Sequence, residues 1–558
     1  MNVSEWRKIW KPFLLECDEV RCFSEDTFEK VQMIFGEELR LTMIPHKVEY
    51  LFPLQKKYKI TDTINIGVLG VLSKNKGANV VREMLSILEA ENKDEVRVKL
   101  IGKAEDESLK AFSFFSETGK YTQGELPRLL LENDIDMVFI PSIWPETFSY
   151  TTEEAMQLGI PVACFDLGAP AKRVAKYGKG IVIPKIDSTL ALDSVVSYVK
   201  ANRLPTVEDA SSKKIVYITE YTSFSSRYRL EHLREELLFA GIPGEIWSMD
   251  QFPKAYNMDC IRAIVIYRCR DVDPLKAFVE EALMKQIPIY YSIDDLVYDY
   301  EEIKELGFFD PKVYHNLKQY TQSVVSLIEK SEGIISSTDT LTKCLKSSFP
   351  DKKVIIDRNV ASMEMWVLSN IARMQKKDNG SKVVLGYFSG SKTHNNDFEL
   401  ISDELYELMK NNENVELLIV GVLDINKSFE RFENRIKRVG FVDWKQLPFL
   451  LASIDINLMP LENTKFHRCK SENKWMEAAM VEVPTIGSYN EEIGAHTSNG
   501  EDIILCHTSA QWNDGLTRLV QDKNERARIA RNALDRVKRE KTTRSGHGDV
   551  LKMFLEER

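Results

Sequence analysis

Short apolar runs alternate with longer helical patterns through almost the whole chain, and this alternation limits what the chain can fold into. Runs such as INIGVLG (64–70) and VELLIVG (415–421) lack the polar alternation of a strand with one solvated face. Continuous apolar strands are typical of parallel sheets covered by helices on both faces. The sequence therefore predicts an α/β fold. Further expected strands are VRVKLIG (96–102), DMVFIPS (136–142), KIVYITE (214–220) and AIVIYR (263–268).

An internal repeat organises these strand and helix units. VRVKLIG, which ends at Gly102, resembles VELLIVG, which ends 319 residues later at Gly421. ELPRLL likewise resembles QLPFLL at an offset of 321, and LLECDEVRCFSEDT (14–27) resembles LIEKSEGIISSTDT (327–340) at an offset of 313. A nearly constant offset across several motifs indicates a duplicated unit.

The repeat predicts one complete two-domain unit preceded by a partial one. Polar linkers, ANRLPTVEDASSKK and KKDNGSK, separate the expected domains. We expect either a fragment of a longer parent chain or the loss of most of the first leading domain. The predicted segments are 1–60, the tail of a truncated domain; 61–201, the second domain of copy one; and 213–375 and 382–558, the two domains of copy two.

Composition excludes several classes of protein. The formal net charge of -10 over 558 residues argues against a nucleic-acid partner. Eight cysteines without CxxC spacing indicate reduced thiols in a cytoplasmic protein, not a disulfide frame or a zinc site. The first residues carry charges throughout and do not resemble a signal peptide, and no run approaches the roughly 18 apolar residues of a membrane span.

The stretch WPETFSYTTEEAMQLGIPV (144–162) places two acids after an expected strand. Pro145 ends the strand, Glu146 falls in the loop, and Glu154 stands near the start of the following helix. The carboxyl edge of a parallel sheet is where open α/β sheets bind ligands, and a carboxylate there can accept hydrogen bonds from a vicinal diol. The alternative for Glu154 is a capping box with Thr151 as N-cap.

This stretch resembles the Glu-x7-Glu signature of family-4 glycosyltransferases, which are retaining enzymes of the GT-B fold with two Rossmann-like domains. The match continues through GIPVACFDLGAPAKRV and covers most of the 61–201 segment. The resemblance implies that Glu154 holds the ribose hydroxyls of a nucleotide-sugar donor and that Glu146 lies against the sugar. The backbone groups implied to lie against the sugar and its phosphates belong to Thr147, Phe148 and Ser149.

A loop after the first strand of this domain supplies an Arg and a Lys to the diphosphate in that family. GVLSKNKGA contains the Lys-Gly pair at Lys76 and Gly77, but Val71 stands where the Arg is expected. Lys76 is therefore a candidate phosphate ligand in a copy that lacks one cation, and the alternative is a solvated loop lysine.

The second copy departs from the signature in a different way. Cys469 stands eight residues before Glu477, so the first acid is missing. Within FHRCKSENKWMEAAM, Lys470, Ser471 and Lys474 stand where the resemblance places donor phosphates, and Glu477 takes the ribose position. The alternative for this segment is an ordinary amphipathic helix.

The opposite loop of copy two, YFSGSKTHNNDF, offers further donor contacts. Gly390 permits close backbone approach, Ser389 offers a hydrogen-bond donor and Lys392 offers charge. His394 follows, but a lone histidine is more often structural.

The 213–375 segment is expected to supply the acceptor side of the cleft. Arg227 and Arg229 follow the first strand of this segment, and Asp294 and Asp295 end another strand. For both pairs the alternative is a helix cap beside a solvated face. Taken together, the candidates for catalytic roles are Glu146, Lys470, Asp294 and Asp295.

The resemblance implies a metal-independent, retaining hexosyltransferase that needs no cofactor. Its substrates would be a nucleotide-sugar donor and a glycan or lipid-linked acceptor, in surface polysaccharide or glycoconjugate synthesis. The expected location is the cytoplasm, with peripheral contact at the inner face of the membrane, and a homo-oligomer is compatible with the sequence. Two alternatives stay open: a GT-B-type sugar-nucleotide epimerase, and a non-catalytic glycan- or partner-binding module, especially over residues 1–200.

Overall fold

The structure is a computed structural model of the chain. It describes residues 2–56, 58–206, 213–220, 224–306, 314–390, 395–545 and 548–556. The chain forms two compact units, Met1–Glu208 and Asp209–Arg558, called unit 1 and unit 2 below.

Unit 1 begins with two helix–strand pairs and continues as an alternation of strands and helices. Its elements are α1 (Val3–Glu16), β1 (Val20–Cys22), α2 (Glu25–Phe35), β2 (Leu41–Met43), β3 (Ile64–Leu72), α3 (Ala78–Ala90), β4 (Val96–Ala104), β5 (Phe115–Glu117), α4 (Leu126–Glu132), β6 (Met137–Ile140), α5 (Tyr150–Gln157), β7 (Val162–Phe165), α6 (Gly168–Lys176), β8 (Gly180–Ile183) and α7 (Ser188–Ala201).

Unit 2 alternates in the same way over a longer stretch, and a π-helical turn at Arg227–His232 leads into its first helix. Its elements are β9 (Lys214–Thr219), α8 (Leu233–Phe239), β10 (Gly244–Ser248), β11 (Ile261–Tyr267), α9 (Leu275–Met284), β12 (Ile289–Ile293), α10 (Tyr300–Glu305), α11 (Tyr314–Lys330), β13 (Gly333–Ser336), α12 (Asp339–Ser348), β14 (Lys353–Ile356), α13 (Met363–Met374), β15 (Val383–Ser389), α14 (Asn395–Glu399), α15 (Ser402–Asn411), β16 (Val415–Gly421), β17 (Ile436–Val439), α16 (Leu447–Leu451), β18 (Ile456–Met459), α17 (Lys465–Arg468), α18 (Asn473–Ala479), β19 (Thr485–Ser488), α19 (Glu491–His496), β20 (Ile504–Cys506), α20 (Ser509–Gln521), α21 (Lys523–Glu540) and α22 (Gly548–Glu556).

Three parallel sheets dominate the part of the chain that the structure describes. The sheet of unit 1 runs β5-β4-β3-β6-β7-β8, and the second sheet of unit 2 runs β17-β16-β15-β18-β19-β20. Both have the 3-2-1-4-5-6 order of Rossmann domains. The first sheet of unit 2 runs β10-β9-β11-β12-β13-β14. The predicted α/β class, with Rossmann-like sheets of GT-B type, is confirmed.

Two glycines make the first two strands of each repeated sheet approach closely. Gly102 and Gly421 have φ angles of +146° and +94°, a region that side chains rarely adopt. A Cβ at Gly102 would lie 1.8 Å from the Gly70 carbonyl oxygen, and a Cβ at Gly421 would lie 1.8 Å from the Ser389 carbonyl oxygen. The repeated glycine is therefore a requirement of strand packing at the carboxyl edge of the sheet.

In unit 2, helices α13 and α22 each pack into the core of the domain other than the one in which chain order places them. Helix α22 falls within the predicted 382–558 domain, yet its Val550, Met553 and Phe554 pack into the core of the first sheet. Helix α13 falls within the predicted 213–375 domain, yet its Ala372 packs with Leu418 of the second. The predicted limits follow chain order, whereas apolar packing assigns each of these helices to the opposite domain.

The first four elements of unit 1 repeat part of the first domain of unit 2. The order α1, β1, α2, β2 matches α11, β13, α12, β14, and both strand pairs are parallel. The caps also correspond, since Ser24 caps α2 and Thr338 caps α12 through their side-chain oxygens. Among the helices that the structure describes, none is long and apolar enough to cross a bilayer.

Substitution of the repeated glycines tests the strand-packing requirement. We expect Gly102→Ala and Gly421→Ala each to lower the free energy of unfolding by more than about 3 kcal/mol, because the methyl group meets a backbone carbonyl in a conformation that is already strained. Gly119→Ala is the control: its φ is +84° but nothing lies within 4 Å of the added carbon. This control is expected to cost only about 1 kcal/mol. Urea unfolding followed by circular dichroism measures all three, and equal losses would contradict the clash.

Candidate functional site

The candidate site of unit 2 lies at the points where the strand order of each of its two sheets reverses direction. In the second sheet this switch point falls between the carboxyl ends of β15 and β18, and in the first sheet it falls between β9 and β11. Ligands of open α/β sheets bind outside the carboxyl ends of the strands at such points. In unit 2 these two edges line one cavity.

The cavity has a volume of about 280 Å³ and both domains contribute to its lining. Apolar walls come mainly from Phe224, Phe388, Phe441, Leu447, Met459 and Leu461. Nine residues predicted from the sequence line the same cavity: Arg227, Asp294, Asp295, Ser389, Gly390, Lys470, Ser471, Lys474 and Glu477. An apolar cavity with a few convergent polar groups is the usual form of a small-molecule site.

A buried ion pair connects the two walls of this cavity. Arg227 from the first domain pairs with the Glu477 carboxylate, and the Tyr228 hydroxyl donates to the same carboxylate oxygen at 2.7 Å. The Arg227 side chain is only 2% exposed, and its guanidinium lies 4.9 Å from the centre of the Trp444 ring and 5.2 Å from that of Phe224. Burial alone would lower the pKa of Arg227, but Tyr228 and Glu477 together raise it. Arg227 is therefore a fixed positive charge.

Lys474 supplies a second cation with unusual surroundings. Its Nζ is buried and has no hydrogen-bonding partner among the described residues, and it lies 5.1 Å from the centre of the Tyr387 ring. Burial lowers the pKa of Lys474 to about 8, although Asp397 opposes this effect. A buried ammonium without a hydrogen-bonding partner is costly, and an anionic ligand in the cavity would relieve that cost.

The acids of the first domain are held by an arginine that the sequence analysis did not single out. Arg268 Nε donates to Asp294 at 2.9 Å, its Nη2 pairs with Asp295, and Tyr267 donates to Asp294 at 3.0 Å. Arg268 has a φ of +48° directly after β11, which is strained backbone at the functional edge. In the sequence, the feature that could have indicated Arg268 is its position directly after a buried strand. Lys470 reaches Asp295 at 3.7 Å from the other domain.

Arg229 does not face the cavity, which corrects its predicted acceptor-side position. Its side chain is fully buried and pairs with Asp357 at 3.1 Å, while its Nε donates to Ser292 at 3.2 Å. Arg229 lies two residues after Arg227 in a π-helical turn, so the two side chains leave the backbone in different directions. Arg229 therefore joins strand ends inside the first domain.

Other predicted donor contacts are partly committed to the protein itself. The Ser389 hydroxyl donates to the Val422 carbonyl at 2.7 Å, and the Ser471 hydroxyl accepts from the Asn359 amide at 3.2 Å. No described residue would lie within 4 Å of a Cβ added at Gly390. Lys392 and His394 lie outside the described residues.

The segment between β18 and α18 contains the additional helix α17, and Cys469 follows this helix, eight residues before Glu477. Its side chain is fully buried in the apolar core of the first domain, and its carbonyl accepts from the Thr338 hydroxyl at 3.0 Å. A carboxylate at this position would be buried without a partner. The loop therefore contributes to the contact between domains at the position where the signature has an acid.

Two groups of acids with a histidine have the residue types of a metal site. They are Asp339, Glu492 and His496, and Asp397, Glu462 and His467, with ligand atoms within 4.8 Å of one another. In the first group Glu492 accepts from the Thr340 amide and pairs with Arg358. Although burial would raise it, hydrogen bonds from His496, Thr340 and Asp339 lower the pKa of Glu492 to about 2. Such bonding fits a link between the domains better than a cation site.

In unit 1 the signature residues are brought together, and several of them bond to other residues of the chain. Lys76 Nζ lies 2.7 Å from Glu146, so the predicted phosphate ligand pairs with the predicted sugar contact. Gly77 has a φ of +89°, and a Cβ there would lie 2.0 Å from the Pro141 carbonyl oxygen. Val71, which stands where the family has an arginine, is 55% exposed.

Residues from the start of unit 1 contact the rest of its signature. Thr27 donates to the Thr147 carbonyl at 3.3 Å, and the His46 ring lies 4.9 Å from the Phe148 ring. Ser149 has a φ of +65° and accepts from the Thr152 hydroxyl at 2.9 Å. Within this loop Phe148 and Ser149 are buried, whereas Thr147 is exposed.

The Glu154 carboxylate bonds neither to a position open for ribose nor to a helix cap, the two roles considered from the sequence. It is 6% exposed, and its carboxylate accepts from the Tyr50 hydroxyl at 2.8 Å. Burial raises the pKa of Glu154, while the hydrogen bond from Tyr50 opposes this shift. The alternative of a capping box with Thr151 is wrong, because α5 begins at Tyr150 and has Ser149 as an N-cap without a side-chain hydrogen bond. A tyrosine hydroxyl occupies the carboxylate that the resemblance assigns to ribose.

Comparisons with known families agree with the geometry. Residues 53–207 match the family described as glycosyl transferases group 1, and residues 402–547 match the family described as glycosyl transferase-like. The chain therefore carries two glycosyltransferase-type domains. They contain, respectively, the signature around Glu154 and the segment around Glu477. No curated protein sequence matches the chain.

Similar solved structures include HepE, a sucrose-phosphate synthase and a glycosyltransferase. HepE of Anabaena, in complex with UDP and glucose, shares 15% identity over 62% of this chain and 98% of its own, with a TM-score of 0.42. Sucrose-phosphate synthase of Thermosynechococcus elongatus shares 13% identity over 62% of this chain and its whole length, also at 0.42. A glycosyltransferase of Rickettsia africae shares 11% identity over 62% of this chain and 98% of its own, with a TM-score of 0.43.

Removal of one charge tests the ion pair between the walls. We expect Glu477→Gln to lower the free energy of unfolding by about 3 kcal/mol, because Arg227 stays buried without its counter-charge. Glu430→Gln, at an exposed acid of the same domain, is the control with little expected effect. The double variant Arg227→Met/Glu477→Gln should recover much of the loss in urea unfolding. Equal stability of Glu477→Gln and Glu430→Gln would contradict this account.

Proposed function

We propose that unit 2 is a retaining, metal-independent hexosyltransferase that moves a sugar from a nucleotide-sugar donor to a glycan or lipid-linked acceptor. The observation that carries the proposal is the convergence of three cations and Glu477 on one cavity at the switch point of a Rossmann-like sheet. A nucleotide-sugar presents the complementary groups, namely a diphosphate and a ribose diol.

The leaving diphosphate is assigned to Lys470, Lys474 and Arg227. In the part of the chain that the structure describes, the buried Nζ of Lys474 has no hydrogen-bonding partner, and Lys470 is partly exposed on the same segment. Arg227 approaches from the opposite wall and is already paired. Fixed cations in a water-poor cavity stabilise negative charge that develops on a leaving group.

The donor ribose is assigned to Glu477, which requires a change of partner. In the structure the Glu477 carboxylate is taken by Arg227 and Tyr228. Ribose hydroxyls would replace these donors, and the released Arg227 would then face the diphosphate. The state described here is therefore assigned to the protein before donor binding.

The acceptor is assigned to the facing edge, beside Asp294 and Asp295. These acids line the cavity and are held in place by Arg268. In the proposed reaction the bond from the sugar anomeric carbon to the phosphate oxygen breaks, and a bond to the acceptor oxygen forms on the same face. The acceptor proton moves to the leaving phosphate, so no separate catalytic base is required. Activity that persists in excess chelator is expected, whereas a strict need for divalent cations would contradict this mechanism.

For unit 1 a specific observation favours a non-catalytic role. The Tyr50 hydroxyl occupies Glu154, Lys76 pairs with Glu146, and Val71 replaces the expected arginine. We propose that unit 1 is a scaffold or binding module. The chemistry is assigned to unit 2 alone.

The pH dependence of nucleotide binding tests the role of Lys474. Its pKa of about 8 means that the ammonium is charged at pH 7 and largely neutral at pH 9. We expect the affinity for the best-bound member of a UDP, GDP and ADP panel to fall about tenfold over this range, since a charge-assisted hydrogen bond is lost. Calorimetric titration should show weaker binding by Lys474→Met at pH 7 and no such fall. A parallel fall in wild type and variant would contradict the assignment.

Matched variants in the two units test where transfer occurs. We expect Lys470→Met to lower transfer at least about 100-fold, because one diphosphate contact is lost where charge develops. Lys76→Met and Glu154→Gln should leave the rate within about twofold. The measurement is product mass spectrometry with a panel of nucleotide-sugars and acceptors.

Three results would contradict the proposal. Loss of transfer in the unit 1 variants would reverse the assignment between units. Donor interconversion without an acceptor would indicate an epimerase instead. Absence of nucleotide binding by the whole panel would remove unit 2 as a donor site.

A further inference from the structure

The segment 464–470, called the α17 clasp below, belongs to the second domain of unit 2 by chain order but packs into the first. Phe466 and Cys469 join the apolar cluster around the first sheet, and Cys469 is fully buried there. Separation of the two domains would return both side chains to water, at a cost that grows with the apolar area exposed. The clasp is therefore an apolar attachment between the domains.

Polar contacts of the clasp reach two further places in the first domain. Lys465 Nζ lies 2.9 Å from the Glu302 carboxylate and 3.6 Å from that of Asp299, at the start of α10. The Thr338 hydroxyl, at the start of α12, donates to the Cys469 carbonyl at 3.0 Å. The clasp thus contacts α10 and α12 as well as the core between them.

The clasp is also fixed within its own domain, so it can transmit a restraint from one domain to the other. The His467 ring is buried, and its Nδ1 lies 2.7 Å from the Thr464 hydroxyl. Asn490 donates to the His467 carbonyl at 2.8 Å, and His467 Nε2 lies 3.5 Å from Asp397. These contacts hold the short helix α17 against the second sheet.

Unit 1 shows that the repeated sheet folds without such a helix. The corresponding segment of unit 1, residues 141–149, is described throughout, is shorter than the 460–472 segment of unit 2 and contains no helix. Both sheets nevertheless have the same strand order. Helix α17 therefore serves something other than the formation of the sheet.

A second contact joins the domains at the same end of α12. Glu492 of α19 accepts from the backbone N–H groups of Asp339 and Thr340 at 3.1 and 2.9 Å. Its carboxylate also pairs with Arg358 at 3.0 Å. A carboxylate at a helix N-terminus is favourable because of the helix dipole. The start of α12 is thus held by Glu492 as well as by the clasp.

The clasp leads directly into the residues that line the cavity. Lys470 Nζ lies 4.7 Å from the centre of the Phe466 ring and 3.7 Å from Asp295 of the facing wall. Ser471 follows and accepts from Asn359 at 3.2 Å. In many enzymes a ligand closes two domains and so assembles the groups of the site. In unit 2 these groups already face one another.

We propose that the α17 clasp holds the cleft of unit 2 closed before a ligand binds and positions Lys470 beside Asp295. Lys465, Phe466 and Cys469 are positioning residues, which act through Lys470. The closed cleft is a property of the fold, whereas the effect on nucleotide binding rests on the proposed function.

Labelling of the buried Cys469 thiol tests the closed cleft in the full chain. The background is Cys344→Ser, which removes the half-buried thiol that lies beside Cys469. Iodoacetamide labelling is followed by peptide mass spectrometry. We expect Cys469 to react at least about 100-fold more slowly than the exposed Cys260. Cys269 and Cys506, in the cores of the first and second domains, report on unfolding.

Loosening of the clasp should expose this thiol alone. We expect Lys465→Met/Phe466→Ser to raise the Cys469 rate at least about tenfold, because the apolar contact and the ion pair are both lost. Rates at Cys269 and Cys506 should not change. Glu302→Gln, a milder variant that removes only the ion pair, should raise the Cys469 rate about threefold. Phe449→Ser, at a phenylalanine 37% exposed on α16, is the control without effect.

Three labelling results would overturn the closed cleft. The first is a wild-type Cys469 rate close to that of Cys260. The second is a fall of about tenfold or more in that rate when UDP is added, because the free protein would then open and the ligand would close it. The third is a rise at Cys469 that Cys269 and Cys506 share in both clasp variants, which would make α17 a contribution to folding only.

Calorimetric titration with UDP, GDP and ADP separates the clasp from the proposed function. Lys465→Met/Phe466→Ser should weaken the best-bound nucleotide about tenfold, because Lys470 is no longer held in place before binding. Unchanged affinity would contradict the positioning of Lys470. Absence of binding by the wild type would overturn the donor site, while the labelling rates would still decide whether the cleft is closed.

Discussion

The cavity of unit 2 depends on how its two sheets are held with their carboxyl edges facing each other. Exchange of α22 and α13 between the domains fixes the sheets through apolar packing. Across the gap, the Arg227–Glu477 pair joins the two walls by a buried charge contact. Packing provides most of the stability, because the attraction within a buried ion pair does little more than offset the free-energy cost of removing both charges from water. The pair instead sets which groups meet across the gap, and together with Tyr228 it occupies the Glu477 carboxylate.

The carboxyl edges of the two repeated sheets differ in which polar groups remain and in what those groups contact. Unit 1 keeps both acids of the signature, but Lys76 and Tyr50 neutralise or cover them. Unit 2 has the buried Cys469 eight residues before Glu477 instead of an acid, and Arg227, Lys470 and Lys474 line its cavity. A well-preserved motif is thus a weaker guide to a working site than the partners that its side chains have in the fold.

Sequence reasoning succeeded where one physical requirement acts on neighbouring residues. Buried parallel strands need apolar runs, so every expected strand is present, and a close strand approach needs glycine, so Gly102 and Gly421 recur. It failed where partners are distant in the chain. Arg227 and Arg229 were indistinguishable by sequence, but a π-helical turn sends one to the cavity and the other to Asp357. Arg268 was overlooked because its partners, Asp294 and Asp295, lie one strand further along.

The sequence by itself determined the α/β class, the repeat and the edge at which polar residues gather, because strand burial, helix capping and glycine geometry are local demands. Only the tertiary structure decided which domain each crossing helix joins and which carboxylate is occupied. The Tyr50–Glu154 and Arg227–Glu477 contacts join residues 104 and 250 positions apart. Contacts of that range leave no periodic pattern, since they follow from how whole layers pack and from the cost of burying a charge without a partner.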